Sequence, residues 1–178
     1  MTSANTCRNW RGPFSFRPNA PNLSSMSDWG ATQRVSAEVV LADGAVLEGD
    51  MHLGASSAYP LNTESPLEML NRAEPFFALT MAGGGVAFVS KAQVAVLSCR
   101  DQSAEADHER ASVARLVALE VGLATGAEYR GRSSFELPPS RSRALDYVNM
   151  PGRFFTVWTN DLTWYFNKSL VRLIRPLD

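Results

Sequence analysis

Residues 37–49 read AEVVLADGAVLEG, and residues 119–131 read LEVGLATGAEYRG. Glu38, Val39, Leu41, Ala42, Gly44, Ala45 and Gly49 of the first stretch recur 82 residues later as Glu120, Val121, Leu123, Ala124, Gly126, Ala127 and Gly131. Each stretch is an alternating apolar run, a turn pair (Asp43 and Gly44, Thr125 and Gly126) and a second run, which is the grammar of a β-hairpin. Two hairpins of one design predict an internal duplication.

Past the two hairpins, the correspondence continues in order. At an offset of 78, Leu67, Asn71, Phe76 and Phe77 match Leu145, Asn149, Phe154 and Phe155. One residue is then lost, and Lys91 and Val94 match Lys168 and Val171. Both shifts fall in loops, where a change of length disturbs least. Each copy predicts the hairpin, a variable loop, a short helix and three more strands. Ser65, Pro66 and Glu68 form a helix start with an N-cap, a proline at the first helical position and a capping-box acid. The second helix is expected from Ser142 to Asn149, and Asn71 and Asn149 are expected to cap the two helix ends. Five short strands in about 60 residues are too few for a flat sheet, so each copy is expected to close on itself and hide its edges.

The unit resembles the Sm-like class of small β-barrels, through the Asp43 and Gly44 turn and the following Gly49 bend. More closely, Leu145, Asp146, Asn149, Arg153, Phe154, Phe155, Asn167 and Lys168 look like an uncharacterised bacterial β-barrel family. The resemblance implies a fold class and no activity. The expected architecture is mainly β: two tandem five-stranded Sm-like or SH3-like barrels at residues 32–100 and 115–178, each with a short inserted helix. A linker at 101–114 with helical spacing of its charges joins them, and an extended N-terminal arm occupies 1–31.

Composition supports a folded chain: 178 residues, 45% hydrophobic and 20% charged, with a net charge of −1. No apolar run approaches the roughly 20 residues of a membrane-spanning helix. Arg8 and Arg11 are not followed by an apolar run, so no secretory leader is expected. The expected location is the cytoplasm, with peripheral association on the cytoplasmic face of the inner membrane as a variant. Cys7, Cys99, His52 and His108 are too dispersed for a disulfide framework or a metal site, and no cofactor is expected.

The candidate contacts fall into two sets. The arm carries Trp10, Phe14, Phe16 and Trp29 among prolines and polar residues, with Arg8, Arg11 and Arg17 beside them. Such a segment has no core of its own and suits a protein partner. Trp158 and Trp164 belong to an aromatic hairpin whose outer rings suit the same purpose, although core packing accounts for most of that hairpin. The double phenylalanines place one ring on each face of a strand, so one ring of each pair enters the core and the other needs separate cover, from either the sister unit or the helix.

The second set is cationic. Lys91 and Lys168 are either matched anion contacts or turn lysines that close the barrel, with helix C-terminal carbonyls as one set of partners; the second reading is preferred. Arg130, Arg132, Arg141 and Arg143 flank a loop and suit either an anion or a solvated surface, again with the second preferred. Gly83 to Gly85 lacks the lysine and hydroxyl of a phosphate loop.

No nucleophile–base pair or paired carboxylates at useful spacing occur, so an enzyme is not expected. The expectation is a non-enzymatic accessory subunit. Its partners are other protein subunits of a larger assembly, with a membrane-extrinsic place in a photosynthetic or respiratory complex as the host class. The alternative is an Sm-like nucleic-acid binder using the cationic set.

Overall fold

A computed structural model describes residues 32–54, 63–100, 115–135 and 143–177. The arm, the linker and Arg141 lie outside the described residues. Ten antiparallel strands are described: β1 (Gln33–Leu41), β2 (Val46–Leu53), β3 (Phe76–Met81), β4 (Val86–Ser90) and β5 (Val94–Cys99), then β6 (Arg115–Leu123), β7 (Glu128–Phe135), β8 (Phe154–Trp158), β9 (Thr163–Asn167) and β10 (Val171–Pro176). Two short helices, α1 (Pro66–Asn71) and α2 (Ala144–Val148), join β2 to β3 and β7 to β8.

The hairpins form for the reason the turn residues give. Gly44 and Gly126 adopt φ of 87° and 93°, a region that glycine enters without penalty. In each turn the same two bonds close the loop, Leu41 to Ala45 and Gly44 to Leu41, Leu123 to Ala127 and Gly126 to Leu123. Gly49 and Gly131 matter through close approach instead. A Cβ there would lie 2.3 Å from the Thr80 carbonyl oxygen and 2.6 Å from that of Trp158. Only glycine lets β2 and β7 bend this tightly over the strand that follows.

At α1, Ser65 Oγ accepts from the Glu68 N–H at 3.2 Å while Glu68 Oε2 accepts from the Ser65 N–H at 2.7 Å, the expected capping box. At α2, whose first helical residue is Ala144, the Asp146 carboxylate accepts the Arg143 N–H at 3.1 Å; the expected start, Ser142, lies outside the described residues.

All ten strands lie in one open sheet, in the order β10-β6-β7-β8-β9-β5-β1-β2-β3-β4. This corrects the expectation of two units that each hide their edges. The reason is that β9 pairs with β5, so the sheet runs on from one set of five strands to the other. Within each set the order is the same: β5-β1-β2-β3-β4 and β10-β6-β7-β8-β9. Register agrees as well. Val39 pairs with Leu47 and Leu97, while Val121, in the matching place, pairs with Tyr129 and Ile174. Even the irregularity is shared: Ala95 is an extra residue between Val94 and Val96, and Arg172 between Val171 and Leu173.

The sheet encloses two cores. Val39, Met51, Leu70, Leu79, Val94 and Leu97 centre the first. Val117, Leu119, Val121, Phe155, Val157 and Phe166 centre the second. The joint between the sets is shared by both. The bulge at Ala95 sends Val94 and Leu97 to the first core and Ala95 and Val96 to the second, so β5 is buried on both faces. Phe154 and Tyr165, from the second set, enter the first core, and Phe155 and Phe166 enter the second. Of the two sources of cover expected for the second ring of a double phenylalanine, the sister unit and the helix, this pair uses the sister unit's core.

Candidate functional site

The joint and its exposed counterpart define the site. In β8 the backbone has only one pairing with β7, Arg132 with Trp158, so the remaining polar groups on that side need other partners. Side chains supply them. Asn71, at the end of α1, donates from Nδ2 to the Phe154 carbonyl at 3.2 Å and accepts the Phe154 N–H on Oδ1 at 2.8 Å. Asn71 was expected to cap its own helix; it holds the other set's strand instead. Tyr147 does the same two residues on: its hydroxyl donates to the Thr156 carbonyl at 2.9 Å and accepts the Thr156 N–H at 3.2 Å. Burial pushes the Tyr147 phenol above its usual value, with hydrogen bonds to Ser133 and Thr156 opposing. Asn167 Nδ2 donates to the Lys91 carbonyl at 3.1 Å, a further bond across the joint.

The corresponding surface on the first set is open. Phe76 pairs with Ser90, Ala78 with Phe88 and Thr80 with Val86, which places Phe76, Val86 and Phe88 on one face of the β3–β4 hairpin. These side chains are 54%, 46% and 72% exposed. Phe76 matches Phe154 and Phe88 matches Tyr165, yet Phe154 and Tyr165 are only 2% and 1% exposed. Beyond this face, β4 ends the sheet. A sheet edge beside exposed aromatic side chains is a surface that natural proteins avoid unless something covers it.

The cationic residues are dispersed. Lys91 is buried; its Nζ donates to the carbonyls of Met69 at 2.5 Å and Arg72 at 3.3 Å, the helix-closing role preferred from sequence. Burial lowers its pKa, with Glu74 opposing and Arg72 and Arg153 assisting. Lys168 Nζ donates to the Met150 carbonyl after α2 in the same way, and burial lowers its pKa too. Arg130 Nε and Arg175 Nη1 each lie 2.7 Å from the buried Glu120 carboxylate. Arg132 and Arg143 are exposed on different elements. Buried Glu64 binds Arg72 at 2.9 Å and takes the Gly54 N–H at 2.7 Å, an ion pair that ties β2 to α1.

Of the aromatic candidates, Trp158 is buried and Trp164 half-buried, edge-on to Tyr129 at 5.5 Å between ring centres. The exposed aromatic face belongs to the first set, where Phe76 was expected to need cover and Phe88 was not singled out. Its signal was its alignment with Tyr165.

Among the described residues, no group of three or more His, Cys, Asp or Glu side chains is placed to hold a metal. An open groove of about 500 Å³ on the outer side of β1 to β3 is lined by Ser36, Glu38, Glu48, Asp50 and Thr80, with no thiol, imidazole or amine. Among the described residues, no helix is long and apolar enough to cross a membrane. No family model, curated protein or solved structure matches this chain.

Proposed function

We propose that this chain is a non-enzymatic accessory subunit that binds protein within a larger assembly, using the β3–β4 face as a docking surface. The single observation that carries this reading is the exposure of Phe76, Val86 and Phe88 together beside an open strand edge. An aromatic cluster of this kind is the usual energetic centre of a protein interface. The two five-strand sets are copies of one small barrel unit with an inserted helix; shared strand order, register and bulge position support this. Duplication gives a rigid body that presents one unit's docking face while the other's is occupied internally.

The arm is the second proposed contact, on sequence grounds, through Trp10, Phe14, Phe16 and Trp29 with Arg8, Arg11 and Arg17. A place on the cytoplasmic face of a bioenergetic membrane complex remains the proposed host class. The nucleic-acid reading draws less support: Lys91 closes α1, Arg130 serves Glu120, and the remaining described cations lie apart.

The test is purification of tagged full-length chain from its native cells, beside Phe76→Asp, Phe88→Asp and a variant lacking residues 1–30. Each variant is expected to retain its melting transition and to lose co-purifying protein. Retention of the same partners by all three variants contradicts the proposal.

A further inference from the structure

The joint inside the chain has unpaired counterparts at the two ends of the sheet. In the internal joint, β9 pairs with β5 through Val96 with Phe166, Leu97 with Tyr165, Ser98 with Trp164 and Cys99 with Thr163. The matching strands are β4 and β10, which terminate the sheet at its two ends. The open edge at one end is therefore the counterpart of the half-joint buried in the middle, and the edge at the other end is the counterpart of its acceptor.

We infer that a second copy of this chain docks head to tail on this face, its β10 pairing with β4 and receiving Phe76 and Phe88 into its second core. The inference rests on the reading of the β3–β4 face as a protein-docking surface and names its occupant.

Side-chain volumes at the implied contacts fit. Transposing the internal register gives Leu173 with Val89, Ile174 with Phe88, Arg175 with Ala87 and Pro176 with Val86. Internally Ser98 is small where Trp164 is large; in the transposed pair Arg175 is large where Ala87 is small. The exchange conserves the space across the pair, as complementary packing requires. Ile174 opposite Phe88 keeps the aliphatic–aromatic contact of Leu97 and Tyr165, a favourable cross-strand pair. Asn149 also stands in the place of Asn71. It is exposed, and the transposed joint puts it at Phe76, whose counterpart Phe154 is held by Asn71 through both backbone groups.

Two differences make this contact weaker than the internal one. Leu177 donates its N–H to the Ala118 carbonyl at 2.9 Å, so Pro176, one residue earlier, turns its donorless nitrogen to the open side. Glu74 stands in the place of Gly152, where a Cβ would lie 3.0 Å from Asn71 Oδ1, so a neighbouring chain's Asn149 must shift. The association is therefore reversible and depends on concentration. Because the two surfaces differ, each added copy leaves one edge of each kind, and the assembly is a ring or an open string according to the rotation per step.

The experiment is sedimentation velocity on purified full-length chain over a wide concentration range, beside Phe88→Asp and Ile174→Pro. The parent is expected to grow beyond the 19.5 kDa monomer with concentration. Each variant alone is expected to associate about 30-fold more weakly. Circular dichroism and melting confirm that each remains folded, and Phe76→Asp gives a second test of the same face should Ile174→Pro fail to fold. Mixing Phe88→Asp with Ile174→Pro is expected to restore a complex of two chains and nothing larger, since each retains the edge the other lacks. A parent that stays monomeric throughout overturns the inference, as does association that Phe88→Asp and Phe76→Asp leave unchanged. If the parent is monomeric but Phe88→Asp still loses host proteins from cells, the docking surface stands and only its occupant is wrong. If neither effect occurs, both fail.

Discussion

Asn71 holds Phe154 by both of its backbone polar groups, the N–H at 2.8 Å and the carbonyl at 3.2 Å, across 83 residues of sequence. One side chain thus does for β8 what a neighbouring strand would do, and it fastens the second set of strands to the helix of the first. Replacing Asn71 with Ala leaves a donor and an acceptor without this partner at a half-buried site. The expected loss of stability is about 2–4 kcal/mol, the lower part of the range for two orphaned groups at roughly 1–3 kcal/mol each, because water reaches a half-buried site. Urea unfolding measures it. A loss below about 0.5 kcal/mol would mean that water replaces Asn71 without penalty.

Lys91 links the fold to pH. Burial holds its pKa below the ordinary lysine value of 10.5, so between the lowered pKa and 10.5 the unfolded chain binds more protons than the folded chain. Its contribution to stability therefore rises with pH through that window. Lys91→Met is expected to be about 1–3 kcal/mol less stable near neutrality, because the carbonyls of Met69 and Arg72 lose their donor. It also lacks the alkaline rise, so the gap to the parent widens as pH climbs. Denaturation midpoints of both proteins from pH 7 to pH 10 decide the matter; curves that stay parallel count against it.

One difference between the sets offers a stabilising change. Glu120 faces Arg130 across the β6–β7 pair, whereas in the matching place Glu38 faces Glu48, two like charges directly opposed. Glu48→Arg copies the second set's arrangement into the first. It is expected to raise stability by about 0.5–1 kcal/mol at low salt, by relieving repulsion and adding an exposed pair. The gain should shrink at high salt. Melting at two ionic strengths checks both parts, and a variant no more stable than its parent at low salt refutes them.

The sequence was most legible where local chemistry decides. The glycine turns at Gly44 and Gly126, the Ser65 capping box and the helix-closing role of Lys91 all follow from residues close together in the chain or from simple donor and acceptor needs. The strand series was readable because apolar alternation repeats twice. What escaped was the joint. Whether a five-stranded set closes alone or shares an edge depends on β5 meeting β9, a contact between segments far apart that no local pattern encodes. Asn71 illustrates the limit: an asparagine ending a helix predicts a cap, while its actual partner, Phe154, belongs to the other set. Trp158 and Trp164 drew notice as large aromatic residues, yet exposure is set by which hairpin, β3–β4 or β8–β9, lies at the sheet's end. Phe88 became visible only once Tyr165, its counterpart, was seen to be buried.

The central claim is that two equivalent sets of strands are fused edge to edge through β5 and β9, leaving β4 as the outward copy of a buried surface. Hydrogen exchange of backbone amides in dilute full-length chain tests it directly. Successive amides of Val96–Cys99 and Thr163–Phe166 are expected to be slow, as in strands paired on both sides, while those of Val86–Ser90 alternate between slow and fast, as at an edge. If β5 and β9 instead show the alternation of two open edges, the two sets are not fused and the account is contradicted.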